Sequence, residues 1–124
     1  MTNNRKITVQ ELGGYLSKGE LFEVNEDGAP NRHYAKFEIL NEYGVHARPA
    51  GLIAGVSGRY DSNINLCKIN DEGSVNVMNA KSIMGLMSSQ MGQGSEGVLI
   101  AEGSDSKECL EELVLFFKSG FGES

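Results

Sequence analysis

The sequence contains no apolar run approaching the roughly 20 residues that a membrane span requires. Its opening, MTNNRKITVQ, carries two basic residues with no apolar stretch of signal-peptide length behind them. These absences predict a cytoplasmic protein that does not insert into a membrane. A basic surplus is missing too: 17 acidic residues face 11 basic ones, for a net charge of -6. Binding along a phosphate backbone needs a basic face, so nucleic acid is excluded as a partner class. Cysteine is scarce. Cys67 and Cys109 lie far apart in the sequence, which reads as two small core hydrophobes rather than a bridge or a metal pair. No metal and no cofactor are expected, and no internal repeat or low-complexity tract is present.

Regular alternation of strands and helices in a parallel βα pattern is also lacking, which bears on the stretch GQGSEG, Gly92 to Gly97. Its spacing matches a dinucleotide-binding turn, but that turn works only after a strand and at the start of a helix, where the pyrophosphate meets the helix N-terminus. Here the order is reversed, with a helix before and a strand after. The match is read as accidental.

What is present begins at residue 34. Residues 1–33 form an extension of different texture, broken by GG, KGE and NEDGAPNR. Within it Thr8 and Glu11 have capping-box spacing, with Val9, Leu12 and Leu16 on one helical face, although Gly13 and Gly14 shorten any helix there. Residues 34–124 form the domain. YAKFEIL alternates as a strand with Ala35, Phe37 and Ile39 on one face. Ala50, Ile53, Ala54 and Tyr60 then recur at helical spacing, despite Gly51, Gly55 and Gly58.

NINLCKI and SVNVM alternate again across NDEG, a turn signal, and predict a hairpin. SIMGLMSSQ predicts a short helix behind Ser82, and VLIAEG a further strand. Asp105 and Glu108 stand as an N-terminal capping arrangement before Cys109, Leu110, Leu113, Val114 and Phe117, a sustained apolar stripe. The order strand, helix, strand, strand, helix, strand, helix predicts an α+β domain with helices on one face of an antiparallel sheet.

The chemistry concentrates in EYGVHARPAG, residues 42–51. Gly44 lets the chain turn, His46 falls at or beside a helix N-cap, and Pro49 is tolerated because first-turn N–H groups have no intrahelical partner. Those free N–H groups and the positive dipole end favour an anion at His46. Arg48 adds a planar fork of donors suited to phosphate oxygens. An imidazole, with an ordinary pKa of about 6.5, is largely neutral and nucleophilic at pH 7, so it can accept a phosphoryl group and pass it on. The residues alone leave a second reading open, in which His46 merely caps the helix. His33, in PNRHYAK, has no such surroundings and reads as structural.

Ser82 occupies a second helix start, with Ile83, Met84 and Met87 as an apolar patch beside it. A serine there is ordinarily a cap and a methionine stripe ordinarily core. A phosphate on that serine would instead place about -1.5 to -2 charges on a docking surface.

GVHARPA, then NAKSIMGLMS, then EGSD and a C-terminal amphipathic helix, closely resemble the HPr family. These are the histidine-containing phosphocarrier proteins of the bacterial phosphoenolpyruvate-dependent sugar phosphotransferase system. The resemblance spans about residues 35–119. It implies an open-faced β-sandwich, a four-stranded antiparallel sheet with three helices on one face. It further implies that His46 accepts a phosphoryl group from enzyme I and donates it to IIA domains of sugar permeases, with Arg48 steadying the phosphohistidine. Ser82 is similar to the serine modified by HPr kinase/phosphorylase, and Pro49, Ile83, Met84 and Met87 would dock partners.

The chain departs from the family at Tyr43, where a small polar residue usually precedes the active-site turn. It departs also in a longer hairpin over CKINDEGSVNVM, in SSQMGQG and in the extension. A regulatory module switched at Ser82, docking on a transcriptional regulator, is the alternative to a carrier, and an inert adaptor a third. An adaptor has no need of the combined His46, Arg48 and Ser82.

Overall fold

The computed structural model describes residues 32–70 and 72–123, together with Gln10, Gly14, Phe22 and Glu23. The capping reading at Thr8 and Glu11, and Asp71 of the hairpin turn, lie outside the described residues. In chain order the elements are β1 (Phe22–Glu23), β2 (Arg32–Glu38), α1 (Ala47–Gly58), β3 (Asn63–Ile69), β4 (Val75–Asn79), α2 (Ile83–Ser88), β5 (Glu96–Glu102) and α3 (Ser106–Lys118). A single 3-10 turn, Gly120–Gly122, follows α3.

The strands form one antiparallel sheet in the order β1-β2-β5-β3-β4. Among the described residues, its four full strands and the three helices α1, α2 and α3 are the predicted open-faced sandwich. The two-residue β1 on the outer edge of β2 was not foreseen. The first full strand also starts at Arg32 rather than Tyr34, because Arg32 and His33 continue the ladder opposite Glu102 and Ala101.

One core lies between the sheet and the helices. Ala35, Phe37 and Ile39 from β2 and its exit meet Ala50 and Ile53 of α1, Leu86 of α2, and Cys109, Leu110, Leu113 and Phe117 of α3. α3 follows from its stripe, and the residue off that stripe, Leu115, is 68% exposed. α1 has less intrinsic support, as three glycines predict, and is held by burying Pro49, Ala50, Ile53, Val56 and Ser57. At α3 the expected capping differs. Asp105 is the N-cap by position but makes no side-chain cap bond. Its carboxylate instead accepts from the Asp61 and Ser62 amides, at 2.9 and 3.0 Å, and from the Ser62 hydroxyl. It thereby ties the α1–β3 connection to the start of α3. These bonds to the ionised form, the Ser62 hydroxyl first, hold the Asp105 carboxyl below its usual range.

Both cysteines are buried and free, and burial pushes each thiol up to about 12. His33 is buried, with Nδ1 2.7 Å from the Ser106 hydroxyl, a structural role as predicted. The glycines of GQGSEG form a turn and enter β5. A Cβ on Gly97 would stand 2.6 Å from the Phe37 ring, so Gly97 serves packing beneath a phenylalanine and not a pyrophosphate. No described helix is long and apolar enough to cross a membrane.

Candidate functional site

The loop from β2 to α1 sets the site. Asn41 is 3% exposed and its Nδ2 donates to Gly44 O at 2.7 Å, while the Gly44 amide donates back to Asn41 O at 3.2 Å. Val45 N then donates to Met91 O at 2.9 Å, pinning the loop to the segment before β5. Gly44 has φ +67, and a Cβ there would come within 2.8 Å of Gly92 Cα. Only glycine both adopts that dihedral cheaply and permits that approach.

His46 follows as the N-cap of α1, with φ -90 and ψ -166 and no side-chain cap bond. Its carbonyl accepts from Ala50 N at 3.0 Å. The Ala47 and Arg48 amides have no intrahelical partner, and the imidazole does not cap them. The helix start is therefore uncapped by its own residue, with Pro49 as its third position.

The imidazole turns instead toward the C-terminal tail. His46 Nε2 lies 2.8 Å from Glu123 Oε2 and 3.1 Å from Oε1. Asn41 Nδ2 donates to Glu123 Oε1 at 2.9 Å, and Arg48 Nη1 lies 3.4 Å from Oε2. These contacts, the His46 bond first, hold the Glu123 carboxyl below its usual range. An ionised carboxylate can only accept, so Nε2 carries a proton, and the neutral form of the ring that fits this contact has its lone pair on Nδ1. Arg48 is further fixed by a 2.8 Å bond from Nη1 to Phe121 O. The arginine side chain is 55% exposed and that of His46 40%, so both are reachable. Tyr43, 74% exposed, sets its ring edge-on to the imidazole with centroids 6.4 Å apart.

The tail reaches this place because Phe121 is buried, with its ring against Phe117 at 4.9 Å. Phe121 holds φ 58, a left-handed dihedral uncommon for a bulky residue. Burying the ring fixes that conformation, and Glu123 is thereby delivered to His46, 77 positions earlier in the chain.

The structure thus brings His46 and Arg48 together, as expected from their spacing. It adds Asn41, Glu123 and the Phe121 carbonyl, which sequence reasoning missed. The one signal for them was GFG, a phenylalanine between glycines after the last helix. Ser82 is the N-cap of α2, and its Oγ accepts from Gly85 N at 3.0 Å. Beside it Ile83, Met84 and Met87 are 46%, 78% and 43% exposed. Pro49, expected in the docking set, is buried: packing in the first turn of α1 turns it inward. Among the described residues, no group of three or more His, Cys, Asp or Glu could hold a metal ion.

Residues 34–119 match the family model described as PTS HPr component phosphorylation site. The chain is 44% identical over 85 residues to the phosphocarrier protein HPr of Treponema pallidum, covering 68% of this chain and 91% of that protein. It is 41% identical to the HPr-like protein Crh of Bacillus subtilis, covering 65% of this chain and 89% of that one. A solved structure, HPr-C-His from Thermoanaerobacter tengcongensis, superposes with a TM-score of 0.63 at 39% identity, covering 73% and 97% of the two chains. With the fold, the histidine at the start of α1 and these likenesses in agreement, the chain belongs to the HPr family of phosphocarrier proteins of the phosphotransferase system.

Proposed function

We propose that His46 carries the phosphoryl group on Nδ1. The observation that supports this reading is the Glu123 carboxylate on Nε2. It fixes the tautomer, as an acceptor on one ring nitrogen does for the other. In an in-line transfer the Nδ1 lone pair forms the new N–P bond while the bond from phosphorus to the donor histidine breaks. The electron pair of that bond stays with the departing imidazole. The positive charge that builds on the His46 ring is offset by Glu123. The uncapped amides at the start of α1 and the Arg48 guanidinium receive the phosphoryl oxygens. For the second transfer the same steps run in reverse toward an acceptor.

The donor in this reading is enzyme I and the acceptors are IIA domains of sugar permeases, in the cytoplasm. The experiment is labelling with enzyme I and phosphoenolpyruvate, read by intact mass before and after acid. The expected product is one acid-labile phosphoryl group, absent in His46→Ala. Labelling retained in that variant would overturn the assignment.

A second reading adds regulation at Ser82. It is favoured by the exposed Ile83, Met84 and Met87 beside the serine and by the likeness to Crh. A kinase of the HPr kinase/phosphorylase type would place a dianion next to that patch and alter docking on enzyme I or on a transcriptional regulator. An unchanged affinity for enzyme I after authentic phosphorylation of Ser82 would count against it.

A further inference from the structure

Asn41 joins two parts of the site that come from opposite ends of the domain. It is buried, and a buried amide is costly unless its donors are used. Nδ2 has two N–H groups and two acceptors, Gly44 O at 2.7 Å and Glu123 Oε1 at 2.9 Å. Gly44 O also accepts from the His46 amide at 3.0 Å. One side chain therefore grips both the backbone that presents the imidazole and the carboxylate that meets the ring from the tail.

The two acceptors fix which way the amide points. Turned over, it would set its oxygen against a carbonyl and a carboxylate, groups that only accept. In the observed orientation Asn41 Oδ1 is buried without a hydrogen-bond partner among the described residues, a cost tolerated where both donors are committed to separate segments. The carboxylate they reach is shared unequally. His46 Nε2 lies 2.8 Å from Glu123 Oε2, whereas Arg48 Nη1 stands 3.4 Å from the same oxygen, a long contact. A guanidinium beside a carboxylate favours a planar fork onto both oxygens. Here Asn41 donates to Oε1, and Arg48 makes its 2.8 Å bond to Phe121 O instead. Without the Asn41 donor the carboxylate is free to turn into a bidentate pair with Arg48. That pairing would draw Glu123 from the ring and Arg48 from an incoming phosphoryl group.

We propose that Asn41 is a positioning residue for phosphoryl transfer: Nδ2 holds Glu123 Oε1, which keeps Oε2 on His46 Nε2 and leaves the Arg48 fork to phosphoryl oxygens. Asn41 touches neither the phosphoryl group nor the ring and acts through Glu123. The proposal rests on the reading that His46 carries the phosphoryl group on Nδ1.

The test uses the full chain and two readouts. One is the rate of phosphoryl uptake from enzyme I and phosphoenolpyruvate. The other is exchange of the His46 Nε2 proton with water, followed by NMR in the unphosphorylated protein. Asn41→Ala is expected to slow uptake about fivefold and to speed that exchange about fivefold. Asn41→Asp keeps the shape of the side chain and removes its donors, so it should lose at least as much. In a Glu123→Ala background, Asn41→Ala should add less than about twofold to either effect. That non-additivity supports the proposal. The full loss in that background overturns it, because Asn41 would then act through the loop alone. Unchanged uptake and exchange in a folded Asn41 variant overturn it as well. In the wild-type protein NOEs are expected from the Asn41 side-chain amide protons to the Glu123 side chain, and their absence overturns the proposal whether or not the variants fold. Failure of the underlying reading is distinct. The wild-type protein then takes no acid-labile group on His46 Nδ1, whatever residue stands at position 41, and the proposal falls with it.

Discussion

Two helix starts in this molecule end in opposite states. At α2, Ser82 turns its hydroxyl inward and accepts from Gly85 N at 3.0 Å, so the cap is filled by its own side chain. At α1, His46 sits at the same position and does not cap. Its ring is drawn off by Glu123, and the first amides are left uncapped by that side chain. A side chain matched to the backbone closes a helix start, whereas one held by a distant carboxylate keeps it available. The first arrangement stabilises a short helix, and in the function proposed above the second prepares a nucleophile.

The largest effect expected on this contrast, short of removing His46, comes from Arg48. In the proposed function Arg48→Ala takes away a donor at the phosphoryl position and should slow transfer by about a hundredfold, measured as the rate of phosphoryl uptake from enzyme I. The fold should be unaffected, because the side chain is 55% exposed.

Glu123→Gln comes next. The amide no longer fixes the Nε2–H tautomer or offsets charge on the ring. A loss of about tenfold in uptake is expected, as is usual when the outer partner of a working histidine is removed. The same contact has a pH signature. Because the folded state lowers the Glu123 carboxyl from its ordinary 4.5, the stability it contributes is fully present above that value. It is lost as pH falls through the lowered one. Unfolding followed from pH 6 downward should show an acid-side loss that is smaller in Glu123→Gln.

The smallest effect belongs to the closed helix start. Ser82→Ala removes the cap on Gly85 N and should cost about 1 kcal/mol in denaturant unfolding, with phosphoryl uptake at His46 unchanged. A large loss of uptake in that variant would mean that the two helix starts are not separate devices.

Much of this was legible because its causes are local. The alternation in YAKFEIL, the stripe from Cys109 to Phe117 and the turn residues Asn70 and Gly73 each act within a few positions, and each element formed close to where its pattern lies. His46 and Arg48 were legible for the same reason, since both stand within two positions of one helix start. Glu123 and Asn41 were not, because their meeting depends on Phe121 burying against Phe117 and on a left-handed dihedral that no short window announces. Asp105 shows the same limit. Its position is that of a cap, but the Ser62 hydroxyl and two amides from the preceding connection compete for the carboxylate and win. β1 was missed because two residues carry no period.

The most direct measurement is heteronuclear NMR of the imidazole nitrogens of His46 in the protein phosphorylated by enzyme I and phosphoenolpyruvate. Glu123 on Nε2 predicts a phosphorus coupling to Nδ1, with Nε2 still bearing its proton. Phosphorus bonded to Nε2, or a phosphorylated protein whose His46 ring is unmodified, would contradict the account.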